Sequence, residues 1–231
     1  MTVLVVQHMP IEGPYLLGSA LVRAGRPLDV RRVYAGAEVP ADAAGLSGLV
    51  VMGGPMGAHS DEGFPTRRAE LALLADAVER GVPTLGVCLG AQLLAVAAGG
   101  SAFPGTGLEV GWAPVTLTAE AADDPLLGGL PEVVEPLHWH GDTYALPPGA
   151  VRLAGSAAYE QQAFRVGRSA WGLQAHLEVD GAGVDAFVTE FADEAPGPVG
   201  QEIRDRAPDA LAALRPHAVA AFDRFAALTA G

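Results

Sequence analysis

Pro83-Thr84-Leu85-Gly86-Val87-Cys88-Leu89-Gly90-Ala91-Gln92 holds the only cysteine of the chain, at the point where an apolar run of strand formers gives way to a helical pattern. Strand, tight turn and helix in that order make one βα unit, and the glycines two residues before and after the cysteine give its joint the form of a nucleophile elbow. Such a turn is so sharp that side chains at the glycine positions would clash, and it pushes the central residue outward. The thiol is therefore expected to be presented rather than buried. Backbone N–H groups at the start of the following helix point at the sulfur and are expected to favour thiolate. A fall in pKa from about 8.5 to about 7 would raise the thiolate fraction at neutral pH from roughly 3% to roughly half. A free cysteine can equally be a small core hydrophobe, so the reading needs partners.

Working outward, Val3 to Val6, Leu49 to Met52 and Leu85 to Val87 are short apolar runs bounded by glycine or proline. They read as strands buried on both faces, hence as a parallel sheet. Helical patterns lie between them, Tyr15 to Ala24 and Arg67 to Arg80. This alternation predicts right-handed crossovers and a flavodoxin-like, doubly wound α/β sheet, whose ligands bind beyond the carboxyl ends of the strands. Gly53-Gly54-Pro55-Met56-Gly57 and Cys88 each follow a strand and should share that edge. From about Gly111 the segments shorten and alternate: Trp112 to Thr118, Val133 to Leu137, Val151 to Ala154 and Ala163 to Val166, separated by turn signals. They predict a small antiparallel extension. Trp171 to His176 reads as a further strand. From Pro208, Leu211, Leu214, Ala218, Phe222 and Phe225 fall at helical spacing and predict a C-terminal helix packed on the core. No linker divides residues 1–231, which read as one domain.

Composition narrows the function. The net charge is −13 and no basic run exceeds a pair of arginines, so neither nucleic acid nor an anionic membrane is an expected partner. All 14 basic residues are arginine. Without lysine there is no Schiff base to a pyridoxal cofactor and no phosphate-loop lysine, and no cofactor is expected. The uncharged stretch between Arg80 and Glu109 is broken by Pro83, Gln92 and two glycines, which suits a strand, turn and packed helix better than a membrane span. One cysteine, with no basic start before the first apolar run, fits a reducing cytoplasm.

A cysteine nucleophile needs a base, and the base a group to orient it. His8 follows the first strand but has no nearby carboxylate. His59 and His217 read as solvated or structural. His140 with Asp142 and His176 with Glu178 each have a carboxylate two residues on, a spacing that shares one face of a strand. Gly141 makes the first segment look like a turn, whereas Gly172 to Glu178 looks like a strand running to its end, so His176 with Glu178 is favoured. His138, His140 and Asp142 could also hold zinc or iron. No other ligand stands at metal spacing, so a polar pocket rim is the preferred reading and no metal is expected.

Five ordered blocks resemble the class I (triad) glutamine amidotransferases, most closely stand-alone proteins similar to the amidotransferase domain of GMP synthetase. The blocks are Gly53-Gly54-Pro55, Pro83 to Gln92, Asp124-Pro125-Leu126, His140-Gly141-Asp142 and Gln174-Ala175-His176-Leu177-Glu178. The resemblance implies a Cys88, His176, Glu178 triad and an oxyanion hole from the backbone N–H groups of Gly54 and Leu89. It further implies glutamine-holding positions at Met56, Gln92 and the segment Trp139, Gly141 and Asp142. Glu109-Val110-Gly111-Trp112 looks like a motif of the same branch without a readable role. Ala91, Ala175 and Leu177 depart from the family pattern, and the small Ala175 is expected to widen the pocket. That leaves two readings besides glutamine hydrolysis for a separate ATP-dependent synthetase: a hydrolase of other γ-glutamyl compounds, and a noncatalytic regulator that keeps the fold.

Overall fold

The computed structural model describes residues 2–230; Met1 and Gly231 lie outside it. The elements run β1 (Thr2–Gln7), α1 (Tyr15–Arg23), β2 (Leu28–Arg32), β3 (Leu46–Val51), α2 (Arg67–Arg80), β4 (Thr84–Val87) and α3 (Leu89–Ala97). They continue with β5 (Ser101–Trp112), β6 (Val115–Leu117), β7 (Val133–Val134), β8 (Leu137–Ala145), β9 (Val151–Ser156), β10 (Ala163–Val166), β11 (Ala170–Leu173), α4 (Gly181–Glu190) and α5 (Pro198–Leu228). A nine-stranded sheet has the order β2-β1-β3-β4-β11-β10-β9-β6-β7. Neighbours from β2 to β11 pair in parallel, and those from β11 to β7 pair antiparallel. The expected doubly wound sheet with an antiparallel extension is therefore present.

Both faces of the sheet are buried. Val3, Val5, Leu85 and Val87 face one core with Leu17, Leu21, Phe222 and Phe225 from α1 and α5. Leu4, Val6, Leu49 and Val51 face the other with Leu73, Leu74, Leu93 and Leu94 from α2 and α3. That two-sided burial is why these strands read as continuous apolar runs.

Four expectations need correction. Trp112 to Thr118 is two strands, because Pro114, which has no N–H to donate, separates the end of β5 from β6. Val133 to Leu137 divides likewise at Pro136 into β7 and the start of β8. The His140 segment is strand rather than turn: β8 runs through it, paired with β5 in a separate two-stranded sheet. The C-terminal helix begins at Pro198, ten residues before Pro208, and carries Pro208 and Pro216 inside it. Leu214, Ala218, Phe222 and Phe225 are buried as the helical spacing implied. Trp112 ties this helix to β5, its indole N–H donating to the carbonyl of Ile203 at 3.0 Å.

Candidate active site

The elbow forms at the joint of β4 and α3. Cys88 has φ 50° and ψ −109°, a strained conformation for a side-chain-bearing residue that costs on the order of 1–3 kcal/mol. The flanking glycines have distinct causes. A Cβ on Gly86 would overlap the backbone at Gly90, and one on Gly90 would overlap the carbonyl of Val51 in β3. The helix can start this close to the sheet only because both side chains are missing.

The register of β4 with β11 sets the segment that carries His176 beside Cys88. Leu173 pairs with Val87, and the Cys88 N–H donates to the Leu173 carbonyl at 2.8 Å. The strand stops there rather than running on to His176. His176 is fixed instead by a bridge to Leu137 of β8, its N–H donating to the Leu137 carbonyl at 2.8 Å. Its Nδ1 lies 2.7 Å from Glu178 Oε1, with both side chains buried. Phe187 of α4 packs edge-on against the imidazole at 4.9 Å between ring centroids.

Cys88 Sγ lies 3.7 Å from the Trp139 carbonyl and faces a cavity of about 180 Å³. Gly54, Met56, Leu89, Gln92, Trp139, Gly141 and Asp142 also line it. Every expected substrate-holding position thus lines the cavity that Cys88 faces. Gln92 spans two walls, its amide donating to the Asp142 carbonyl at 3.3 Å and to Gln174 Oε1 at 3.2 Å.

Two expectations about the thiol are corrected. Cys88 is only 6% exposed, reached through the cavity rather than displayed at the surface. Its pKa is raised, because burial outweighs the pull of His176 and of the Leu89 N–H. Burial opposes charge on His176, but Glu178 and the thiol together hold it well above an ordinary imidazole. The helix start alone therefore does not make a thiolate; the imidazolium beside the sulfur is the principal group favouring it.

Ala175 faces away from the cavity. It lines a small apolar gap with Leu173, Leu177 and Val115, so it does not widen the substrate space. His8 does have a carboxylate. Glu70 of α2 lies 2.8 Å from its Nε2, and Nδ1 is 3.0 Å from the Gly53 carbonyl, so His8 braces the glycine loop rather than facing the thiol. His59 reaches Asp142 at 3.3 Å.

Sequence reading missed two residues, Glu12 and Glu194, and left Glu109 without a role. Glu12, in the loop after β1, lines the cavity with Oε2 buried and unpartnered, and its carboxyl packs so closely against Gly53 that a Cβ there would make it move. Burial pushes the Glu12 pKa up to about 7, with Glu178 adding to the rise and His176 opposing it. Its place at a strand's carboxyl end was the available signal. Glu194 lines the opposite wall and accepts from the Trp139 indole at 2.7 Å. Glu109 lies between His138 and His140.

Residues 14–191 match the family model described as glutamine amidotransferase class-I. The chain belongs to this family. The class-I amidotransferase is 32% identical over 173 residues to the glutamine amidotransferase-like protein YfeJ of Salmonella typhimurium, covering 74% of this chain and 72% of that one. It is 35% identical over 150 residues to the GMP synthase [glutamine-hydrolyzing] of Porphyromonas gingivalis, covering 64% of this chain but only 28% of that much longer one. A glutamine amidotransferase of Thermotoga maritima superposes with a TM-score of 0.88 at 28% identity, covering 98% of both chains. The amidotransferase is accordingly a glutamine-hydrolysing type of enzyme built on the class-I fold. No described helix is long and apolar enough to cross a membrane.

Proposed function

We propose that the enzyme hydrolyses the side-chain amide of glutamine through a γ-glutamyl thioester on Cys88, with His176 and Glu178 completing the triad. The observation that carries this is the buried His176–Glu178 pair beside a strained cysteine at the floor of a small cavity. The Cys88 thiolate attacks the amide carbon, and the carbonyl oxygen becomes an oxyanion. The backbone N–H groups of Gly54 and Leu89 are assigned to that oxygen; preorganised donors of this kind are worth about 3–4 kcal/mol each. Imidazolium at His176 gives its proton to the departing ammonia. It then takes a proton from the water that cleaves the thioester, releasing glutamate and restoring the thiol. Glu178 holds the ring and stabilises its charge. Met56, Gln92, Trp139, Gly141 and Asp142 hold the amino-acid end.

The ammonia is proposed to pass to an acceptor on a separate ATP-dependent synthetase, as the similarity to a much longer GMP synthase suggests. A free catalytic thiol suits the reducing cytoplasm. The test is glutamate release from glutamine by wild type and Cys88→Ala, with mass spectrometry of the acid-quenched protein for the γ-glutamyl adduct. Release that depends on Cys88 is expected, increasing when the synthetase is added. A folded protein that forms no adduct under any condition would overturn the assignment.

A further inference from the structure

The β5–β8 pairing places Glu109 opposite His140 and Gly111 opposite His138. Glu109 Oε2 lies 3.1 Å from His138 Nδ1 and 3.0 Å from His140 Nε2. The outer ring nitrogens are already committed. His138 Nε2 is 3.1 Å from the Ala113 carbonyl, and His140 Nδ1 is 3.0 Å from the Asp142 carbonyl. A carbonyl can only accept, so each of these nitrogens carries the hydrogen. In the neutral rings the inner nitrogens are then bare lone pairs, both aimed at a carboxylate oxygen. Three acceptors converge where the histidine side chains are at most 1% exposed and Glu109 is 10% exposed.

Neighbouring donors cover only part of this: the Gln162 amide reaches Glu109 and, at 3.5 Å, His140, and Ser156 donates to the other Glu109 oxygen, while His138 Nδ1 has no donor, so a positive partner is missing among them. Two extra protons would serve formally, but they would make two buried imidazolium rings 6.1 Å apart. His138 Nδ1 makes no well-directed hydrogen bond to Glu109, so a proton there would be poorly used. A single divalent cation satisfies all three lone pairs at once, and histidines whose other nitrogen donates to a carbonyl are oriented as metal ligands usually are. A fourth donor is at hand. Gln162 Nε2 lies 2.7 Å from Glu109 Oε2 and 3.5 Å from His140 Nε2, while Gln162 Oε1 is buried without a partner. A half-turn of the amide exchanges the two atoms and brings the oxygen to the cluster.

We propose that Glu109, His138 and His140, with the Gln162 amide oxygen as fourth ligand, form a binding site for a borderline divalent cation of the Zn²⁺ type. Two imidazoles with two oxygen donors suit zinc and disfavour magnesium or calcium, which take oxygen donors. A closed set of four protein ligands marks a structural ion. It would clamp β5 to β8 along the stretch of β8 where Trp139, His140, Gly141 and Asp142 line the cavity, and it takes no part in the chemistry at Cys88. Asp142, grouped with these histidines by sequence spacing, offers only its backbone carbonyl to the cluster and turns its carboxylate to His59. The site stands apart from the triad assignment.

The chelator-treated full chain is titrated with Zn²⁺ and, separately, with Co²⁺, then desalted. Metal content, Co²⁺ absorption and melting temperature are read for wild type, Glu109→Gln, His138→Gln and Cys88→Ser. Cys88→Ser is needed because the thiol beside His176 is itself a zinc-binding pair. One ion per chain is expected in wild type and Cys88→Ser. The cobalt spectrum should lack a thiolate charge-transfer band, and the melting temperature should rise with the logarithm of free zinc. Glu109→Gln and His138→Gln should bind at least about tenfold more weakly. Failure of folded wild type to retain an ion, or an ion lost in Cys88→Ser and kept in Glu109→Gln, would overturn the site. Should both cluster variants fail to fold, the wild-type cobalt spectrum still decides, since a thiolate band places the ion at Cys88.

Discussion

Glu12→Gln should make the protein more stable at pH 8 and leave it nearly unchanged at pH 4.5. In the unfolded chain this carboxyl titrates at 4.5; in the folded protein, burial pushes it up to about 7. Between those values the folded state still holds a proton that the unfolded state has released. Folding then loses about 1.36 kcal/mol for each pH unit, a penalty absent below the unfolded pKa and complete above the folded one. The interval is 7 − 4.5, or about 2.5 units, giving a full penalty of about 3 kcal/mol. Glutamine keeps the shape and cannot ionise, so it removes the penalty. For a chain of this size each kcal/mol moves the melting temperature by about 2–4 °C, so Glu12→Gln should melt about 6–12 °C above wild type at pH 8. Paired melting curves from pH 4.5 to 8.5 read the difference directly. An equal difference at every pH would show that folding does not shift this carboxyl, and a Glu12→Gln protein less stable at pH 8 would show that the carboxylate is ionised and well partnered in the folded state; either would refute the reasoning. The same change removes a charge that raises the Cys88 pKa, so the acidic limb of kcat/KM for glutamine should also move to lower pH.

Glu178→Gln keeps a hydrogen-bonding group at His176 but removes the charge that holds its proton; glutamate release should fall by about 10²–10⁴ with little change in melting temperature, and an unchanged kcat would contradict the triad. Gly90→Ala places a methyl within 3.0 Å of the Val51 carbonyl and should lower stability by about 1–3 kcal/mol, read from the denaturant midpoint, while displacing the elbow enough to abolish turnover. Asp124 accepts hydrogen bonds from the Trp171 indole at 3.0 Å, the Leu126 N–H at 2.9 Å and Arg165 Nε at 2.9 Å. Asp124→Ala strands those donors and should cost about 3–5 kcal/mol in chemical denaturation, with a loss under 1 kcal/mol counting against this account.

The parts of the molecule that could be read from the sequence are those decided by near neighbours. Gly86, Cys88 and Gly90 declare a strand-to-helix turn within five residues, and β1, β3 and β4 declare their burial by composition alone. The edge strand β2, half exposed with Asp29, Arg31 and Arg32 in it, carries no such signal. What decides Glu109 is the register of β5 against β8, including an irregularity between Pro104 and Glu109; nothing local states which residue of one strand will stand opposite His140. His8 likewise meets Glu70 across 62 residues, through the packing of α2 over the loop that follows β3. Ala175 is a different case. A two-residue period read over this segment puts His176 and Glu178 on one side and Ala175 and Leu177 on the other; the strand itself ends at Leu173, yet the sides hold, and Ala175 and Leu177 line an apolar gap behind His176. The same rule that paired the base with its carboxylate thus already removes that position from the substrate's side. The proposed choice between glutamine and larger γ-glutamyl compounds is therefore sought among residues that share the cavity with Cys88, of which Glu12, Met56, Trp139 and Glu194 are four.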